Sequence, residues 1–139
     1  MIRTRPLMKL RLRTAPVQNV GAGPHGTRLT FPIIEGSFDG ERLRGKVLPG
    51  GGDWVLKRPD GVLELDLRIT LETDDGALVH MTFEGLVHGD AATRYFRTLP
   101  RFETADPRYA FLNRFLAVGI GELGELGEAS PIHSIEEIL

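Results

Sequence analysis

From Met8 onward, apolar residues recur mostly at every second position, in short runs cut by Gly, Pro and Asp. That is the period of half-buried strands rather than of helices. The pattern predicts strands near residues 8–14, 27–35, 37–48, 53–58, 62–73, 77–88, 93–98, 115–123 and 129–137. Eight or nine strands in so short a chain either close as an antiparallel barrel or fold as two packed sheets, because closure removes unpaired edges. The reading taken forward is all-β, a single antiparallel β-barrel over 8–139, with residues 1–7 as a loose extension before it.

One segment breaks the alternation. Asp106 precedes Pro107, an N-cap residue followed by a proline suited to the first helical position. Tyr109, Leu112 and Phe115 or Leu116 then recur at helical spacing. A short helix near 107–114 is predicted, lying across one open end of the barrel or beside its wall, with Tyr109 and Leu112 buried.

Two turns set strand register. Asp74-Asp75-Gly76 suits a three-residue loop with glycine in the left-handed position, which pairs Thr73 with Ala77. Leu71 then faces Val79, Ile69 faces Met81 and Leu67 faces Phe83, while Thr70, Arg68 and Asp66 meet His80, Thr82 and Glu84 on the other face. For Arg58-Pro59-Asp60-Gly61, a two-residue turn centred on Pro59 and Asp60 sets Trp54 opposite Leu65 and Asp53 opposite Asp66. A three-residue turn would set Trp54 opposite Asp66; the first register is preferred because it matches apolar residues to apolar ones.

Composition narrows the chemistry. Lys and Arg number 17 against 19 Asp and Glu, a formal charge of −2, without the basic surplus of a nucleic-acid or anionic-membrane binder. There is no cysteine, so thiolate metal sites, disulfides and a Cys nucleophile are excluded. No apolar run approaches the roughly 20 residues that span a bilayer, and MIRTRPLMKLRLR lacks the apolar stretch of a secretory signal. A cytoplasmic location is expected. Gly21-Ala22-Gly23 and Gly50-Gly51-Gly52-Asp53 lack the Gly-Lys-Ser/Thr ending of a phosphate loop and read as turns. His25, His80, His88 and His133 show no metal-site spacing, and Ser37, Ser130 and Ser134 have no nucleophile-elbow setting.

The preferred registers gather Asp53, Asp66, Arg68, His80 and Glu84 on one face of three neighbouring strands. Two adjacent carboxylates repel, so one keeps its proton while a nearby Arg holds the other ionised, which separates an acid from a base. The alternative is a solvated outer face of ordinary ion pairs. Burial of Arg68 discriminates the two. A second candidate, Tyr95-Phe96-Arg97-Thr98 through Glu103, mixes rings with a guanidinium and a carboxylate, the ingredients for a planar, oxygen-bearing ligand. Alternation puts Tyr95 and Arg97 on one face and Phe96 and Thr98 on the other; the alternative is an edge strand with Phe96 and Phe102 in the core.

The motif Gly36-x-Phe38-x-Gly40-x-x-Leu43-x-Gly45-x-Val47-Leu48-Pro49-Gly50-Gly51-x-Asp53-Trp54 resembles the DUF3237 (UPF0311) family of small β-barrel proteins. So do Asp66-x-Arg68 with Thr73-x-Asp75-Gly76, and Tyr95-Phe96-Arg97-Thr98-x-Pro100-x-Phe102-Glu103-Thr104 with Tyr109-x-x-Leu112-Asn113. Pro131-Ile132-His133-Ser134-Ile135 departs from the family's Tyr-rich last strand, leaving closure there the least constrained part. The resemblance implies a self-associating barrel without an obligatory cofactor, and fungal relatives in polyketide pathways imply ring closure or dehydration. It also implies that Asp53, Asp66, Arg68, Tyr95, Arg97, Glu103, Tyr109 and Asn113 gather at one site.

The expected function is binding of a small, apolar, oxygenated organic molecule, with cofactor-independent cyclisation, isomerisation or dehydration by acid/base catalysis. Asp53 or Asp66 would transfer the proton and Arg68 or Arg97 would steady a developing oxyanion. Trp54, His80, Tyr95, Glu103, Tyr109 and Asn113 would contact the substrate. No metal is expected, and the partners expected are a small-molecule ligand and further copies of the chain, not nucleic acid or membrane. The rivals are a non-catalytic carrier or sensor and an assembly module packing its Leu63-to-Leu71 face on another copy.

Overall fold

A computed structural model describes residues 1–139. Ten strands are present: β1 (Thr4–Thr14), β2 (Gln18–Gly23), β3 (Gly26–Asp39), β4 (Arg44–Val47), β5 (Gly51–Lys57), β6 (Leu63–Thr73), β7 (Leu78–His88), β8 (Tyr95–Glu103), β9 (Ala117–Gly124) and β10 (Gly127–Ile138). A 3₁₀ helix spans Pro107–Arg114 between β8 and β9. None of its segments is a helix long and apolar enough to cross a membrane.

Eight strands close the ring. Successive hairpins pair β6 with β7, β7 with β8, β8 with β9 and β9 with β10, and β10 returns to β1. β1 pairs with β3, and β5 closes the gap between β3 and β6. The two further strands extend rows already there: β4 continues the β5 row between β3 and β6, and β2 adds to the first half of β3. The segment around His133 that departs from the family pattern does close the barrel, with Leu10 and Gly121 as its neighbours.

Several expectations need correction. The chain is already in β1 at Thr4 and Leu7 is fully buried, so residues 4–7 are a barrel strand and not a loose extension. β2 was not predicted, because Gln-Asn-Val-Gly-Ala-Gly is largely exposed and carries no buried alternation. The segment 37–48 is two strands, since β3 continues to Asp39 before the chain turns into β4. Gly45 marks that join: a Cβ there would strike the backbone carbonyl of Glu72 on β6.

The β6–β7 register is as the turn chemistry predicts, from Leu71 opposite Val79 to Asp66 opposite Glu84. The β5–β6 register is not. Arg58 N–H bonds the Val62 carbonyl and Gly61 takes a φ of +87°, a three-residue loop of the same kind as Asp74-Asp75-Gly76. Every pair is thereby shifted by one, so Asp53 lies opposite Leu67 and Leu56 opposite Glu64.

The core is the inward face of the ring. Leu65, Leu67, Ile69 and Leu71 of β6 are all buried within it beside Val79, Met81 and Phe83 of β7. The Leu63-to-Leu71 face is therefore spent on the barrel's own interior and is not a surface for another copy. The helix plugs the end that carries the β6–β7 turn. Leu112 is completely buried, and the helix is tied down by Tyr109 and Arg108, both bonded to Asp75 in that turn.

Candidate functional site

The end opposite the helix is open. Its rim is built from the turns after β5 and β7 and from the start of β10, represented by Gly61, Gly89 and Glu128, and it leads into an interior cavity of about 390 Å³. The wall is largely apolar, with Leu29, Phe31, Val55, Leu65 and Phe96 among its side chains. Two ionisable groups reach it from deep positions, Asp53 on β5 and His133 on β10.

Asp53 faces inward because residues 53, 55 and 57 share one face of β5, and the glycine loop fixes which face that is. Between the pairs Asp53–Leu67 and Leu56–Glu64 the β5–β6 ladder is interrupted. There the backbone N–H of Asp66 donates to Asp53 Oδ1 at 2.9 Å. Burial pushes the Asp53 carboxyl up to about 7, the Asp66 N–H partly opposes that shift, and the Asp66 carboxylate adds to it. A carboxyl with that pKa is present in both protonation states at neutral pH, so it can either give or take a proton.

His133 is 1% exposed, and its Nδ1 has no hydrogen-bond partner. Phe83 and Phe96 enclose the ring, with centroids 5.0 and 5.3 Å away. Burial lowers its pKa to about 4, so the imidazole is neutral at ordinary pH. Gly121 lies opposite His133 on β9 and makes room for this packing, since any Cβ at that position would overlap the Phe96 ring. Sequence reasoning passed over His133. The available signal was its phase: it stands two residues before Ile135, which is buried in the core.

The remaining candidates are not at this cavity. Arg68 is exposed, with 62% of its side chain accessible, and pairs with Asp66 at 3.2 Å. By the discriminator set above, the face carrying Asp66, Arg68, His80 and Glu84 is the solvated outer face. The predicted five-residue cluster is overturned because the one-residue shift turns Asp53 inward and leaves the others outside. Trp54, Asp66, Tyr95 and Arg97 line an outer groove of about 670 Å³ across β5 to β8. In and beside that groove, the guanidinium of Arg97 stands 5.1 Å from the Tyr95 ring centroid and that of Arg68 5.7 Å from Trp54. Phe96 and Phe102 are in the core, as the alternative reading of β8 holds.

Glu103 is exposed at the end of β8, in register with His80. Tyr109 and Asn113 lie at the plugged end, where the first holds the Asp75 carboxylate and the second the backbone of Thr104. Tyr109 Oη donates to Asp75 at 2.8 Å; Asn113 accepts from Thr104 N–H at 2.8 Å and donates to the Thr104 carbonyl at 3.0 Å. No single site collects all eight residues that the family resemblance implied.

A family model described as "Protein of unknown function (DUF3237)" matches residues 2–133. The chain is similar to a UPF0311 protein of Rhodopseudomonas palustris, 35% identical over 132 residues that cover 85% of this chain and 86% of the relative. Among solved structures it is similar to a β-barrel-like protein from Acinetobacter baumannii, with a TM-score of 0.91 and 33% identity, covering 100% of this chain and 97% of that one. It also shares its fold with a structure described as an enzyme from Penicillium herquei, with a TM-score of 0.80 at 20% identity, covering 99% and 95% of the two chains.

Proposed function

The chain belongs to the DUF3237 family, and on that footing we propose that its interior cavity binds a small, apolar, oxygenated organic molecule, aromatic or polyketide-like, on which Asp53 performs acid/base chemistry without a cofactor. The carrying observation is an ionisable carboxyl held near neutrality inside an apolar cavity that opens to solvent. Groups tuned in this way are characteristic of proton transfer at functional sites. The reactions that fit are cyclisation, isomerisation and dehydration, each of which needs one group to remove a proton and the same or another to return it. In this reading His133 is a neutral hydrogen-bonding partner for a substrate oxygen, and the apolar wall excludes competing water. A barrel of this fold is described as an enzyme in Penicillium herquei, which supports reading the scaffold as a host for catalysis. The outward positions of Arg68 and Arg97 remove them from this mechanism.

A carrier or sensor is the second reading, favoured by the bond that Asp53 already accepts from Asp66 N–H. There Asp53 hydrogen-bonds the ligand and moves no proton. Native mass spectrometry of protein purified from its own source, followed by incubation of the recovered molecule with wild-type and Asp53→Asn protein, separates the two. Catalysis predicts conversion that falls by about 10²- to 10⁴-fold in the variant; a carrier binds the molecule and returns it unchanged. Exclusion of the neutral dye N-phenylnaphthylamine from the cavity would defeat both readings.

A further inference from the structure

The mouth of the cavity has a charge pattern that the reading above does not use. Lys57, the last residue of β5, and Arg94, the residue before β8, both line it. Neither takes part in any of the ten ion pairs of the structure. The acidic groups nearby are Glu128 on the rim and Asp90 in the Arg94 loop, and Asp90 is already bonded to Thr93 and Ala92 N–H. Arg94 is near enough to the Asp90 carboxylate to help lower its pKa but forms no ion pair with it, so two cations free of ion pairs stand over an apolar shaft whose deep polar groups include Asp53 and His133.

We propose that the ligand is an apolar organic anion, held with its carboxylate, or an equivalent negative group, at Lys57 and Arg94 and with its apolar body directed inward, so that its far end meets Asp53 and His133. This rests on the cavity being the binding site, as proposed above.

Orientation follows from electrostatics. An anion at the deep end would lose its hydration without meeting a cation, and it would face the Asp53 carboxylate. At the mouth it stays partly hydrated beside two positive groups, and the aliphatic stem of Lys57 can lie along the apolar wall. Lys57 and Asp53 are four residues apart on one strand, about 13 Å between their Cα atoms at the ordinary strand rise. That separation selects a ligand long enough to keep its charge in water while its far end reaches the proton-transferring group. The cavity volume of about 390 Å³ is within the range that holds a small organic molecule.

Displacement of N-phenylnaphthylamine by decanoate, decanol and decylammonium tests this. These probes share one apolar body and differ in charge. Decanoate is expected to displace the dye at about tenfold lower concentration than decanol, as two partly exposed ion pairs would provide, with decylammonium the weakest. Added salt should narrow the difference. The double variant Lys57→Gln, Arg94→Gln should erase the preference while its affinity for the neutral dye stays the same, which also shows that it folds. Equal displacement by decanoate and decanol, a preference for decylammonium, or a decanoate preference untouched by the double variant would overturn the anion proposal and leave the cavity reading intact. Failure of the dye and of all three probes to bind would end both.

Discussion

Asp53 Oδ1 accepts a 2.9 Å hydrogen bond from the backbone N–H of Asp66, although the two carboxyl groups stand on opposite faces of the sheet, one at the inner cavity and the other in the outer groove. The bond fills an interruption in the β5–β6 ladder, so the residue proposed to move a proton also completes the wall. Asp53→Asn keeps an acceptor oxygen and should fold normally. Asp53→Ala leaves the Asp66 N–H without its partner and should lose about 1–2 kcal/mol more than Asn does in urea unfolding. Equal stability of the two variants would show that the bond contributes nothing.

Asp53 and His133 oppose one another in their pH dependence. Asp53 titrates near 7 when folded and near 3.8 otherwise, so the folded state holds its extra proton and the stability it contributes fades as pH rises from about 4 to 7. His133 titrates near 4 when folded and near 6.5 otherwise, so its contribution fades as pH falls from about 6.5 to 4. The upper bounds are about 4 kcal/mol for Asp53 and about 3 kcal/mol for His133. In the wild type the two slopes largely cancel across that window. Asp53→Asn should unmask loss of stability on acidification, and His133→Gln loss of stability on going from pH 4 to 7. Parallel pH–stability curves for the wild type and both variants would contradict the two shifts.

Gly121 should resist any side chain. Because its missing Cβ makes room for the Phe96 ring that packs edge-on to His133, Gly121→Ala forces Phe96 aside. Overpacking of this kind costs about 1–3 kcal/mol. The His133 ring proton shifts in NMR should move with it, since they report the position of the neighbouring ring.

Tyr109→Phe and Asn113→Ala should lower the melting temperature and leave binding of N-phenylnaphthylamine unchanged. Their hydrogen bonds tie the helix to Asp75 and Thr104 at the plugged end of the barrel, away from the mouth. Altered dye affinity in either variant would return that residue to the site.

Arg68→Ala and His80→Ala should change neither stability nor dye binding appreciably. Both side chains are on the exposed outer face, where single ion pairs contribute about 0–1 kcal/mol. A large loss of dye affinity in Arg68→Ala would move the binding site to the outer groove.

The all-β barrel, the register of the β6–β7 hairpin and the helix start at Asp106 were legible in the sequence, because alternation and turn chemistry are local and act within a few residues. β2 was not, since its exposed polar and glycine residues bear no mark of a buried face. Which way Asp53 points was decided only in the folded barrel: Pro59-Asp60-Gly61 is compatible with two loop lengths, and a shift of one residue exchanges inside for outside along the whole strand. That Asp53 and His133 line one cavity is decided by closure. Eighty residues separate them in the chain, and no local pattern relates the two until β10 joins β1 and the ring encloses a shared interior that burial makes unfavourable to charge.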